Sequence, residues 1–286
     1  MHFFMKKPLL RTSTRPLALC LGLLSFLSSC EKKEDTPALE VKPTTCLPSK
    51  NYNAADPTQY TTFQYDDLQR LTRISDYVKG KESRASIYEY NAQGQVGRIT
   101  ITDEALSIDL GLPDKVYMIY TFDYNSLGQV SKYSSYKPWL NNSYALEETT
   151  CEYDSEGNRT KTTTTTDNGA NSFTTVYTYK DGNCIQRDIN QGPSPVGPTF
   201  YQYDLSKENK LRSFNQKFSL MHLTGPTASK NMSAESTQTN ADPQHNSTYK
   251  QTYEYNEHGY PTKVNDTWKN FFNSGTTVIA MEYVCQ

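Results

Sequence analysis

The chain has 286 residues, 29 basic and 31 acidic side chains, and 22 tyrosines. No stretch concentrates the basic residues, which excludes the cationic face that nucleic-acid binding requires. Tyrosine-rich composition favours strands over helices, and the length suffices to bury one core.

The first segment is a targeting signal over residues 1–29. Lys6, Lys7, Arg11 and Arg15 form its basic part and residues 17–27 its apolar part. That apolar run is too short to span a bilayer, which takes about 20 residues. Leu27-Ser28-Ser29-Cys30 resembles a bacterial lipobox. The resemblance implies cleavage before Cys30, a lipid on Cys30 and membrane attachment through it. It further implies a Gram-negative outer-membrane lipoprotein, periplasmic or surface-exposed. Residues 30–45 read as a flexible tether, and their early acidic residues resemble a surface-export signal, though a solvated linker explains them equally well. Loss of the leader leaves 25 basic against 31 acidic residues, a net charge of −6.

Residues 46–286 form a β-domain built on a repeat. Pairs of large residues separated by one polar residue recur as Phe63/Tyr65, Tyr88/Tyr90, Phe122/Tyr124, Cys151/Tyr153, Tyr177/Tyr179, Tyr201/Tyr203 and Tyr253/Tyr255. Alternation places each pair on one face of a strand. Asn or Asp usually follows the second Tyr, and Gly often comes three residues later, which is turn chemistry. Each copy therefore folds back as a hairpin, with return strands marked by apolar pairs such as Leu71/Ile74, Val96/Ile99 and Leu211/Phe214. A spacing of three straddles both faces of a regular strand. Tyrosines at 65, 90, 124, 153, 179, 203, 255 and 283 mark the copies, with one interval of 52 residues. Inside that interval, residues 218–223 are expected to form a strand of a degenerate hairpin and residues 229–246 an exposed excursion.

The pattern Tyr-Asp/Asn-x-x-Gly resembles the YD repeat of RHS and teneurin proteins. The whole chain resembles Gram-negative lipoproteins with a porin-like β-sheet fold. The expected fold is all-β: a long up-and-down antiparallel meander of YD-type hairpins, strongly curved or closed into a barrel. An open sheet of roughly fifteen strands would leave its aromatic face bare, and sheets beyond about ten strands curl or split. A membrane barrel with aromatics facing lipid is disfavoured by the charges on the return strands, as at Arg70 and Arg73.

Catalytic signals are sparse. Beyond the leader the histidines are His222, His245 and His258, and none has metal-site spacing. No nucleophile elbow or phosphate-cradling loop occurs, and no cofactor or metal is implied. Trp139, Tyr144, Trp268, Phe271 and Phe272 lie in connections between copies, where aromatics can bind a glycan or protein ligand. A lid over the end of the sheet is the plainer explanation. Cys46, Cys151, Cys184 and Cys285 allow three disulfide connectivities if all four pair. Cys151 and Cys184 stand three strand steps apart, roughly 14 Å, beyond disulfide reach. Cys46 and Cys285 flank the repeats and are the expected disulfide pair, brought together by a sheet that curls until its ends approach. The expected function is a non-enzymatic envelope binding or structural module. An envelope glycan hydrolase and a fragment of an RHS toxin shell are the alternatives.

Overall fold

The computed structural model describes residues 45–285 except 107–115, 139–146, 167–168, 170, 191–195 and 241–242. The outgoing strands are β2 (Asp56–Tyr65), β4 (Lys81–Tyr90), β6 (Val116–Tyr124), β8 (Glu147–Tyr153), β10 (Asn171–Lys180), β12 (Val196–Glu208), β14 (Ser247–Tyr255) and β16 (Ser274–Cys285). The returning strands are β3 (Leu71–Val78), β5 (Val96–Asp103), β7 (Val130–Tyr136), β9 (Arg159–Thr166), β11 (Asn183–Asn190), β13 (Asn231–Asn240) and β15 (Pro261–Lys269). With β1 (Cys46–Asn53), these form a closed antiparallel barrel in which every strand pairs with its sequence neighbours and β1 pairs with β16.

The recurring aromatic pairs face the interior. Tyr88, Phe122 and Tyr177 are buried, and with Leu71, Val96, Ile99, Ile101 and Val130 most of them build the principal core. The spacing of three on the return strands has a definite cause. Tyr65 pairs with Leu71 but Gln64 pairs with Arg73, so Thr72 is an extra, bulged residue. The bulge turns Leu71 and Ile74 to the same side. Equivalent register shifts occur in the next three hairpins.

Between the buried pairs, the outer wall is charged. The residue before the closing Tyr faces the residue two beyond that Tyr's own partner, giving the register pairs Glu89/Arg98, Asp123/Lys132, Glu152/Lys161, Glu254/Lys263 and Glu282/Lys50. Ion pairs close at 3.8 Å for Glu89–Arg98 and 2.8 Å for both Glu152–Lys161 and Glu254–Lys263. Lys132 instead reaches Glu148 at 2.7 Å.

The 52-residue interval is corrected throughout. Phe214 and residues 218–223 except Ser219 lie in two short helices, α1 (Arg212–Phe218) and α2 (Leu220–Thr224), and Leu211 caps the first of them, so none of these residues belongs to a strand. Much of the expected excursion at 229–246 is β13, a wall strand. The insertion is an expanded hairpin turn. Asn209 N–H donates to the Lys230 carbonyl at 2.8 Å, the closing bond that Asn91 makes to Gln95 at 2.9 Å in an ordinary turn. Between these ends the chain folds into the barrel and plugs it, with Phe214, Phe218, Leu220 and Leu223 joining the core.

The barrel closes where the last copy is split. Tyr283 pairs with Pro48 as Tyr65 pairs with Leu71, so β1 supplies the return strand that β16 lacks. The Cys46–Cys285 disulfide stands where the other copies have a covalent turn. This pairing corrects the expected membrane partner. Cys46 is bonded to Cys285 and is no free cysteine for a lipid, and Cys30 lies outside the described residues.

Candidate functional site

The turn end of the barrel is set by five similar turns. The Asx side chain opening each turn accepts two backbone N–H bonds. Asn91 Oδ1 takes those of Gln93 and Gln95, and Asn125 Oδ1 those of Leu127 and Gln129. Asp66, Asp154 and Asn256 do the same. Gly94 adopts φ +74°, where a side chain is strained; in the first turn Gln69 occupies that position at φ +58°.

Behind the turns runs a ring of tyrosine latches. Tyr90 Oη donates to the Leu71 carbonyl at 2.6 Å, Tyr124 to Val96 at 2.9 Å and Tyr153 to Val130 at 2.9 Å. Tyr203 reaches Cys184, Tyr283 reaches Pro261 and Tyr65 reaches Pro48, each at 2.7 Å. Each hydroxyl thus bonds the return residue that pairs with the closing Tyr of the preceding copy, and the last of these bonds crosses the barrel seam. Burial raises the phenol pKa values, to about 12 at Tyr124.

Arg159 breaks the pattern. It occupies the return position held elsewhere by Leu71, Val96 and Val130, and it is 1% exposed. Its guanidinium donates to the Gly225 and Leu223 carbonyls at the end of α2 and to Tyr153 Oη. Its backbone N–H donates to Thr227 Oγ1 at 2.8 Å. Tyr88 and Tyr133 add hydroxyl bonds to the Phe218 and Thr224 carbonyls, both at 3.0 Å. The plug is therefore held by polar bonds as well as by apolar packing.

Between the turn ring and the plug lies a cavity of about 670 Å³. Val96, Val130, Phe214, Phe218 and Leu223 line its apolar part, and Arg70, Gln95, Gln129, Lys210, Gln216 and Lys217 its polar part. Deeper in the barrel, on the other side of the plug, a second cavity of about 320 Å³ is lined by Phe63, Ile74, Tyr88 and Arg84 among others. Neither lining includes Asp or Glu, so the two-carboxylate arrangement of a glycosidase is not built in them.

The aromatic residues singled out in the sequence lie elsewhere. Trp139 and Tyr144 are outside the described residues. Trp268, Phe271 and Phe272 belong to the opposite end: Trp268 packs over Gly275, Phe271 stacks on His245 at 4.3 Å, and Phe272 is 85% exposed. The histidines are dispersed. His222 lies in the plug, bonded to the Pro226 carbonyl, and His258 lies in an exposed turn. Among the described residues, no cluster of three potential metal ligands occurs. Cys151 and Cys184 are free thiols, and burial pushes that of Cys184 up to about 11.

Gln95, Gln129 and Arg70 share one repeat position, the last of the turn. Their common place behind the turn Gly or its Gln69 substitute was the available signal. Lys210, Gln216 and Lys217 gave none, because their segment departs from the repeat.

No protein-family model and no curated protein matches the chain. Among solved structures, a porin-like protein from Bacteroides uniformis superposes with a TM-score of 0.55 at 14% identity, covering 85% of this chain and 98% of that one. A porin-like protein from Bacteroides vulgatus gives 0.53 at 12% identity, covering 83% and 98%. The fold is thus a porin-like barrel. A structure of TcdB2-TccC3 reaches a TM-score of 0.35 at 15% identity, covering 80% of this chain and 13% of that one.

Proposed function

We propose that the protein is a non-enzymatic binding module of a Gram-negative envelope, in the outer-membrane region, and that its barrel wall stands in water. The observation that carries this reading is the inversion of polarity relative to a lipid-embedded barrel. The apolar core fills the lumen and charged residues circle the outside. An Arg or Lys facing lipid costs about 2–4 kcal/mol at the bilayer midplane, so several on one wall would strain the stability of an ordinary domain. The plug also obstructs the lumen. The barrel serves as a rigid frame that holds the cavity at its turn end. The likeness to porin-like Bacteroides proteins supports the envelope setting, while the wall chemistry argues against a pore. Planar-bilayer recording tests this: the protein should give no conductance steps at any voltage that the bilayer withstands, and discrete steps would contradict the proposal.

A further inference from the structure

We propose that the turn-end cavity binds a small amphiphilic anion, an apolar chain carrying a carboxylate or similar acidic head. This deepens the reading of the protein as a binding module and rests on it.

Three amides of the polar lining offer donors whose companion acceptors are already engaged. Gln95 Oε1 accepts from Asn91 Nδ2 at 3.2 Å and Gln129 Oε1 from Asn125 Nδ2 at 2.8 Å. Gln216 Oε1 accepts the Ala228 N–H at 2.7 Å. What these three amides present to a ligand is their NH₂ groups. The hydroxyls of Tyr90, Tyr124 and Tyr153 at the floor spend their protons on the Leu71, Val96 and Val130 carbonyls. Arg70, Lys210 and Lys217 add positive charge. Arg70 is paired with Asp66 at 2.7 Å and Lys210 with Glu208 at 2.9 Å, yet neither carboxylate lines the cavity. Lys217 is exposed on α1.

A sugar hydroxyl both gives and takes hydrogen bonds, and the amide and cationic side chains of this lining answer only the second. An anion takes donors alone. The apolar part made by Phe214, Phe218, Leu223, Val96 and Val130 requires a hydrocarbon body behind that charge. The cavity of about 670 Å³ falls within the ~300–1,000 Å³ typical of small-molecule sites.

The test is calorimetric titration of the whole protein with decanoate, decyltrimethylammonium, acetate and decyl maltoside, each below its micellar concentration. Decanoate should bind saturably, one per chain, at least tenfold more tightly than the other three. Lys217→Glu, at an exposed position, should weaken it at least fivefold. Ser213→Trp, which fills the cavity from α1, should abolish binding while the circular dichroism spectrum stays unchanged. Equal or tighter binding of decyltrimethylammonium or decyl maltoside would overturn the anion assignment and leave the module reading standing. Decanoate binding unaffected by Ser213→Trp would overturn the site. Failure of all four probes to bind would overturn the site and leave the module reading to its own bilayer test.

Discussion

At the scale of single residues, the conserved geometry of the hairpins explains why Tyr closes so many outgoing strands. A Phe would fill the same space but could not bond the preceding copy. The inward direction of the aromatics was legible from alternation alone, because a period of two has one structural meaning. The partner of each hydroxyl was not legible, since it lies on a different hairpin, nor was the bulge that makes a spacing of three compatible with one face. Tyr124→Phe should remove the bond to Val96 and leave its buried carbonyl unmet, costing about 1–3 kcal/mol in urea denaturation. Glu89→Ala, on the exposed wall, should stay within about 0.5 kcal/mol. The same phenols set an alkaline limit. Their folded pKa values lie above the ordinary value of 10, reaching about 12 at Tyr124 through burial. Their contribution is complete below pH 10 and is lost as pH rises towards 12. Tyrosinate absorbance and loss of the folded circular dichroism signal should therefore rise together in that window, and ionisation without unfolding would contradict the assignment.

At the scale of elements, the plug is where sequence reading failed. Its helices span seven and five residues, too short for a helical period to show. Their apolar residues therefore read as strand in the sequence. The turn that contains the plug was hidden because Asn209 and Lys230, the two ends of one turn, are separated by the whole insertion. Arg159 was equally unreadable: in sequence it resembles the basic residues of the return strands, whereas a register one position earlier than Thr160 sends it inside. Arg159→Leu restores the apolar type found in other copies but orphans the Leu223 and Gly225 carbonyls. We expect faster proteolytic cleavage within residues 209–230 with the strand signal in circular dichroism retained. Unchanged cleavage would show that apolar packing alone holds the plug.

At the scale of the whole molecule, closure depends on strands from the two ends of the described domain. The sequence disclosed the repeats but not that β1 is the missing half of the last copy, because β1 lacks the Tyr signature. The Cys46–Cys285 bridge spans 239 positions, and chain-entropy reasoning assigns such a crosslink up to about 5 kcal/mol. The double variant Cys46→Ser/Cys285→Ser should lose stability of that order in urea titration, and no loss would mean that the β1–β16 ladder and the Tyr65–Pro48 bond suffice. The central claim is that the apolar side of this porin-like barrel is its inside. Nitroxide labels on the outer wall at Lys132, Lys161 and Lys263, with paramagnetic resonance read in the presence of phospholipid vesicles, test it most directly. The account predicts ready collision with a water-soluble nickel complex at all three positions; protection from nickel together with enhanced collision with oxygen would place the wall in lipid and contradict it.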